Sequence, residues 1–160
     1  MKLETIKTGT KLGDLEFISG TTKKTDIRKA FGEASRVFDN GAKEVYDDLG
    51  FVVRYRGDQQ KVYNIDIYLS LDSVLGNKVL PKKVFKGKIN FREIAFEGSP
   101  SMEILVKKMV DKSYIKEKGT SFVVNLGKNA WWFYPESNGT PFEDGENLGM
   151  ITLWERIPGK

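Results

Sequence analysis

Two stretches in opposite halves of the chain share one pattern, and that echo constrains the fold more than any other feature. Leu12-Gly13-Asp14-Leu15-Glu16-Phe17 and Phe91-Arg92-Glu93-Ile94-Ala95-Phe96 both read apolar, two polar or small residues, apolar, any residue, aromatic. A helix signal follows each: Gly20-Thr21-Thr22 before residues 23–31, and Gly98-Ser99-Pro100 before residues 101–112. Thr22 and Ser99 are expected to accept hydrogen bonds from the free amides of the first turn, and Pro100 suits a first helical position. Ile27, Ala30 and Phe31, and Met102, Leu105, Val106 and Met109, recur at helical spacing and predict one buried stripe per helix. Gly32 and Gly119 supply stops.

Three strand signals then follow in each half. Residues 44–49 match 121–126, 51–56 match 130–134, and Ile65-Asp66-Ile67-Tyr68 matches Ile151-Thr152-Leu153-Trp154. The last pair alternates aliphatic residues with others, the period of a half-buried strand. The expectation is an α+β protein, a tandem pseudo-repeat of β-β-α-β-β-β units with antiparallel sheets and one helix per repeat. The first repeat spans residues 1–75, a basic linker spans 76–84, and the second repeat spans 85–160. Each half is too small to build a secure core alone, so the two are expected to share one.

Gly20-Thr21-Thr22, Ile27 and Phe31-Gly32 resemble the pattern around the first helix of the β-lactamase-inhibitory-protein-like tandem-repeat modules. The chain departs from that family in its lack of cysteine, and its second half has no matching Gly-Thr-Thr. Length and layout are also similar to bacterial toxin-immunity proteins. Both resemblances imply a domain that works by binding another protein, and neither carries over individual binding residues.

Composition removes many chemistries. With no His and no Cys, thiol nucleophiles, disulfides, Cys/His zinc sites and Ser-His-Asp catalysis each lack a required group. The acids Glu44, Asp47 and Asp48 lie in one strand signal, where Asp47 and Asp48 are expected on opposite faces and not as a facing pair. No phosphate-cradling glycine motif occurs. The reading is therefore non-enzymatic, with no catalytic residue, metal or cofactor. No apolar run approaches the roughly 20 residues of a membrane span. The start, Met1-Lys2-Leu3-Glu4-Thr5, lacks an apolar export core, so a cytoplasmic location is expected.

Ala130-Trp131-Trp132-Phe133-Tyr134 is the most unusual stretch. In a strand Trp131 and Phe133 share one face while Trp132 and Tyr134 share the other. One set faces a core and the other needs a cover: a second protein, or further parts of this chain. Residues 135–147 follow as a long loop with Glu136, Glu143, Asp144 and Glu146, Phe142 among them, and no basic residue. The expected partner-binding residues are Trp131, Trp132, Phe133, Tyr134, Glu136, Phe142, Glu143, Asp144 and Glu146. They would supply aromatic anchors and an acidic rim for a partner with a basic surface. The function expected is that of an immunity or inhibitor protein that occludes a bacterial toxin or enzyme.

The alternative uses Lys78, Lys82, Lys83, Lys86 and Lys88 to bind nucleic acid or an anionic surface. Phe85 is the only aromatic within that run, and no nucleic-acid motif accompanies it, which disfavours this reading. Lys107, Lys108, Lys112, Lys116 and Lys118 are expected on the solvated side of the second helix. The formal charge of +4 permits attraction to anions without requiring it.

Overall fold

The structure, a computed structural model, describes residues 2–6, 9–12, 15–17, 21–58, 60–71, 79–86, 88–91, 94–97, 101–111, 122–126, 129–135 and 147–155. In chain order the elements are β1 (Lys2–Ile6), β2 (Gly9–Leu12), β3 (Leu15–Phe17), α1 (Lys24–Phe31), β4 (Arg36–Phe38), β5 (Lys43–Tyr46), β6 (Phe51–Arg56) and β7 (Lys61–Tyr68). Then come β8 (Lys88–Phe91), β9 (Ile94–Glu97), α2 (Met102–Asp111), β10 (Phe122–Leu126), β11 (Asn129–Pro135) and β12 (Leu148–Glu155). The class is α+β. A five-stranded sheet runs β3-β2-β1-β8-β9 and a seven-stranded sheet runs β10-β11-β12-β7-β6-β5-β4.

Residues 88–155 follow the expected order, β-β-α-β-β-β. Residues 2–68 add β1 at the front and β4 after the helix. The expectation of purely antiparallel sheets needs correction, because β1 pairs in parallel with β8, Lys2 opposite Lys88. Parallel neighbours require a long crossover, and here everything from β2 to β7 intervenes. The seven-stranded sheet is antiparallel throughout, and its three-strand meander β10-β11-β12 meets the four-strand meander β4-β5-β6-β7 where β12 pairs with β7.

One row of that sheet explains the core. Phe133 pairs with Ile151, Ile151 with Ile67, Ile67 with Phe51 and Phe51 with Tyr46, so five large side chains cross five strands on one face. All five are buried, and Ile27 of α1 and Met102, Leu105 and Val106 of α2 belong to the same cluster. The core is therefore shared between residues 1–75 and 85–160. At about 25 cal/mol per Å² of apolar surface, each such side chain contributes roughly 1.5–3 kcal/mol when fully buried.

Local details depart from expectation for physical reasons. The N-cap position of α1 falls on Lys23 and not on Thr22, which is buried and whose carbonyl accepts the Val62 N–H (2.8 Å). The helix begins after Lys23, whose N–H donates to Asp26 Oδ2 (2.9 Å). Gly32 ends α1 as expected, at φ 81°, its N–H on the Arg28 carbonyl (2.7 Å). Ala30 is exposed, and Lys24 takes a place on the buried face instead. The cause is Glu44, fully buried on β5. It accepts Arg28 Nε–H (2.9 Å), Arg28 Nη2–H (2.6 Å) and the Tyr55 hydroxyl (2.9 Å), with Lys24 Nζ at 3.8 Å. Lys24 also donates to the Gly41 carbonyl and lies over the Tyr55 ring. A carboxylate without water needs charge and donors around it, and the helix face supplies them.

For α2, the described cap is Ser101, whose Oγ accepts the Ile104 N–H at 3.5 Å, while Ser99, Pro100 and Gly119 lie outside the described residues. The first residue before each helix bridges the start of a later strand: Lys23 to Lys61 and Ser101 to Asn147. Strand β5 stops at Tyr46, short of the expected 49, because residues 47–50 turn back with Leu49 and Gly50 N–H on the Tyr46 carbonyl. Residues 79–86 are no free tether. Pro81 and Phe85 are buried, and Lys82, Lys83 and Lys86 are exposed.

Candidate functional site

Side chains on the second face of the seven-stranded sheet point away from α1 and α2. Along one rung Trp132 pairs with Thr152, Thr152 with Asp66, Asp66 with Val52 and Val52 with Val45. Tyr134 lies on the same side of β11 as Trp132. Their rings stack, centroids 6.2 Å apart with planes 13° from parallel, and both side chains are half-buried. Val45, Val52, Tyr68 and Met150 form a second buried cluster here, against which Phe38, Leu71, Val79, Leu80 and Tyr134 pack.

Beside the aromatic pair, at the junction of the two meanders, sits a polar network. Asp66 Oδ1 accepts the Thr152 hydroxyl (3.0 Å) and Asn64 Nδ2–H (3.2 Å), and Oδ2 accepts Arg54 Nη1–H. Arg54 also donates to Asn64 Oδ1. Asn64, Asp66 and Thr152 are buried. With both oxygens engaged and a guanidinium in contact, this carboxylate is a fixed, charge-compensated anchor. It also acts on its neighbour: burial first, and the Asp66 charge second, push the Tyr134 phenol above its ordinary pKa. Tyr134 therefore stays protonated and able to donate.

Of the residues expected to meet a partner, Trp132 and Tyr134 lie together on this outer face. Phe133 needs correction, since it is fully buried in the core cluster beneath both helices. Strand alternation sends it there: its neighbours face outward, so it cannot. Trp131 occupies a position in β11, paired with Val124 and Leu153. Glu136, Phe142, Glu143, Asp144 and Glu146 lie outside the described residues.

The acids weighed for catalysis do not converge. Glu44 is sealed under α1. Asp47 is clamped by Arg36, Nε–H to Oδ2 at 2.8 Å and Nη2–H to Oδ1 at 2.6 Å. Asp48 is exposed and faces Lys83 Nζ at 3.3 Å. Among the described residues no group of three or more acids is placed to hold a metal. No helix of the described residues is long and apolar enough to cross a membrane. Lys107 and Lys108 are exposed on α2, as their spacing suggests.

Sequence reading missed the Arg54–Asn64–Asp66–Thr152 network. Its signal was present in Asn64-Ile65-Asp66-Ile67, where polar residues alternate with the two buried isoleucines, but Thr152 meets Asp66 only through tertiary pairing.

The described architecture is that of an α+β protein with two helices on one face of a large sheet and an aromatic-polar surface on the other. A family model described as a domain of unknown function (DUF7738) matches residues 12–105, and the chain belongs to that family. The match runs from the end of β2 into the first turn of α2. No curated protein and no solved structure matches the chain.

Proposed function

We propose that this protein is a non-catalytic protein-binding module, an immunity or inhibitor protein of the bacterial cytoplasm that neutralises a toxin or enzyme by occluding it. The observation that carries this reading is the stacked, half-buried Trp132–Tyr134 pair on the face away from the helices. Trp and Tyr are the residues that most often anchor interfaces, because they bury large area while keeping a polar tip. The pair is set beside a rigid, satisfied polar network, which limits the ordering needed on association. The acidic run from Glu136 to Glu146 follows Pro135 directly in the sequence and suits a basic partner.

The scaffold for this surface is read as a tandem duplication. Three observations support it. The connections Leu12 to Leu15 and Phe91 to Ile94 join β2 to β3 and β8 to β9 at identical spacing. The helix-start bridges to Lys61 and Asn147 occupy corresponding places. Asp66 and Thr152, the matching second residues of Ile65-Asp66-Ile67 and Ile151-Thr152-Leu153, pair directly with each other, as residues on a local two-fold axis would.

The test begins with the product of the neighbouring reading frame, co-expressed and purified with the protein. Against that partner, Trp132→Ala with Tyr134→Ala should weaken binding at least roughly 30-fold, the range of interface hot spots. Neutralising Glu136, Glu143, Asp144 and Glu146 should mainly slow association and reduce its salt dependence. Folded variants of both kinds that bind like the parent would reject this surface.

A further inference from the structure

Residues 79–86 are hydrogen-bonded to β4, to the turn after β5 and to the last residue of β7. Arg36 Nη2–H donates to the Leu80 carbonyl (2.6 Å). Lys82 N–H donates to Asp47 Oδ1 (3.0 Å), and Lys83 N–H to the Asp47 carbonyl (2.9 Å). Phe85 N–H donates to the Tyr68 carbonyl (2.7 Å). Asp47 is the hub. Its carboxylate takes both Arg36 bonds and the Lys82 amide, and its own N–H donates to Ser35 Oγ (3.0 Å). The charged groups around it are Arg36 from β4, Lys82 and Lys83 from the 79–86 segment, and Asp48 from its own turn. The Lys83–Asp48 pair is exposed on both sides and holds little.

We propose that residues 79–86 form a charge-held latch, which opens as a unit ahead of the rest of the fold when the Asp47 carboxylate is neutralised. Opening takes Val79 and Leu80 off Val45, Val52, Tyr68 and Met150, the apolar end of the outer face next to Tyr134. The inference rests on the Asp47 geometry alone and stands apart from the partner-binding reading. The direction of its pH dependence follows from the bonds. The Arg36 hydrogen bond, with help from the Lys82 amide, holds the Asp47 carboxyl below its ordinary range, against the opposing effect of burial. A lowered folded-state value means the latch is fully held above the ordinary Asp range and is released as pH falls through that lowered value. Arg36 stays charged throughout, its own value raised first by the same hydrogen bond.

Hydrogen exchange on the full chain, read by mass spectrometry across a descending pH series and corrected for intrinsic rates, tests this directly. Protection of the Lys82, Lys83 and Phe85 amides should vanish at a higher pH than protection in β6 and β7. At neutral pH, Asp47→Asn should open the same segment. Trypsin then reads it at the exposed Lys82, Lys83 and Lys86, with cleavage there faster by roughly tenfold or more, the loss expected for charge-assisted bonds. Arg36→Lys keeps the charge but loses the two-pronged bond and should fall between the two. Urea midpoints of each variant separate local opening from global instability. Loss of protection in 82–85 only together with β6 and β7, or unchanged cleavage in folded Asp47→Asn, would overturn the proposal.

Discussion

The buried Glu44 offers the sharpest energetic test of how α1 is held. Replacing it by Ala leaves three donors to settle. The Arg28 side chain is 36% exposed and returns to water at little cost. Lys24 keeps the Gly41 carbonyl and the Tyr55 ring. The Tyr55 hydroxyl is different: Tyr55 is 3% exposed, so an unmet hydroxyl there costs about 1–3 kcal/mol. The Lys24 ammonium, only 10% exposed, also loses the Glu44 carboxylate, which brings Glu44→Ala to about 3–5 kcal/mol. Tyr55→Phe alone removes one bond to a charged acceptor and should cost about 1.5–3 kcal/mol. In the double variant the unmet hydroxyl is gone. The loss in the double variant should therefore fall short of the sum of the two single losses by about 1.5–3 kcal/mol. Urea unfolding followed by tryptophan fluorescence measures all four proteins. With slopes of about 1–3 kcal/mol per molar urea for small proteins, the coupling appears as a midpoint difference of roughly 1 M. Additivity within about 0.5 kcal/mol would refute the claim that Glu44 and Tyr55 are linked inside the core.

Gly50 and Gly57 both have left-handed backbones, φ 80° and 77°, so Ala at either costs about 1–2 kcal/mol of strain. A Cβ at Gly57 meets nothing within 4 Å, whereas at Gly50 it falls within contact distance of the Phe85 backbone N and 2.7 Å from Phe85 Cα. Gly50→Ala should therefore cost at least about 2 kcal/mol more by urea midpoint, since Phe85 would have to leave its buried seat. On the alkaline side, burial raises the phenols of Tyr46, Tyr55 and Tyr134. Their stabilising effect is present below the ordinary Tyr value of about 10 and is lost as pH rises beyond it. Tyrosinate absorbance should accordingly show these groups ionising late, together with unfolding, and an ordinary titration of all six tyrosines would count against the packing.

The elements were legible from the chain because their signals are local. Alternation at Ile65-Asp66-Ile67, the helical spacing of Met102, Leu105 and Val106, and the stop at Gly32 all report backbone periods that each segment imposes on itself. The echo between the two halves also announced the order of elements in residues 88–155. Short strands without periodicity were not legible: β1 and the three-residue β4 exist because a neighbour supplies their hydrogen bonds. The parallel match of β1 to β8 has no sequence signature at all.

The same division holds at the surface. Sequence alone determined that Trp132 and Tyr134 share one side of a strand and Phe133 the other, because alternation is a property of the extended backbone. Which side meets the helices was decided by tertiary structure, through the row of Ile151, Ile67 and Phe51 that Phe133 joins. Charge followed the same rule. Nothing local distinguishes Glu44, Asp47 and Asp66 from acids at a solvated surface. Each became a fixed point only when folding brought Arg28, Arg36 or Arg54 to it, since a carboxylate withdrawn from water must find its donors across space.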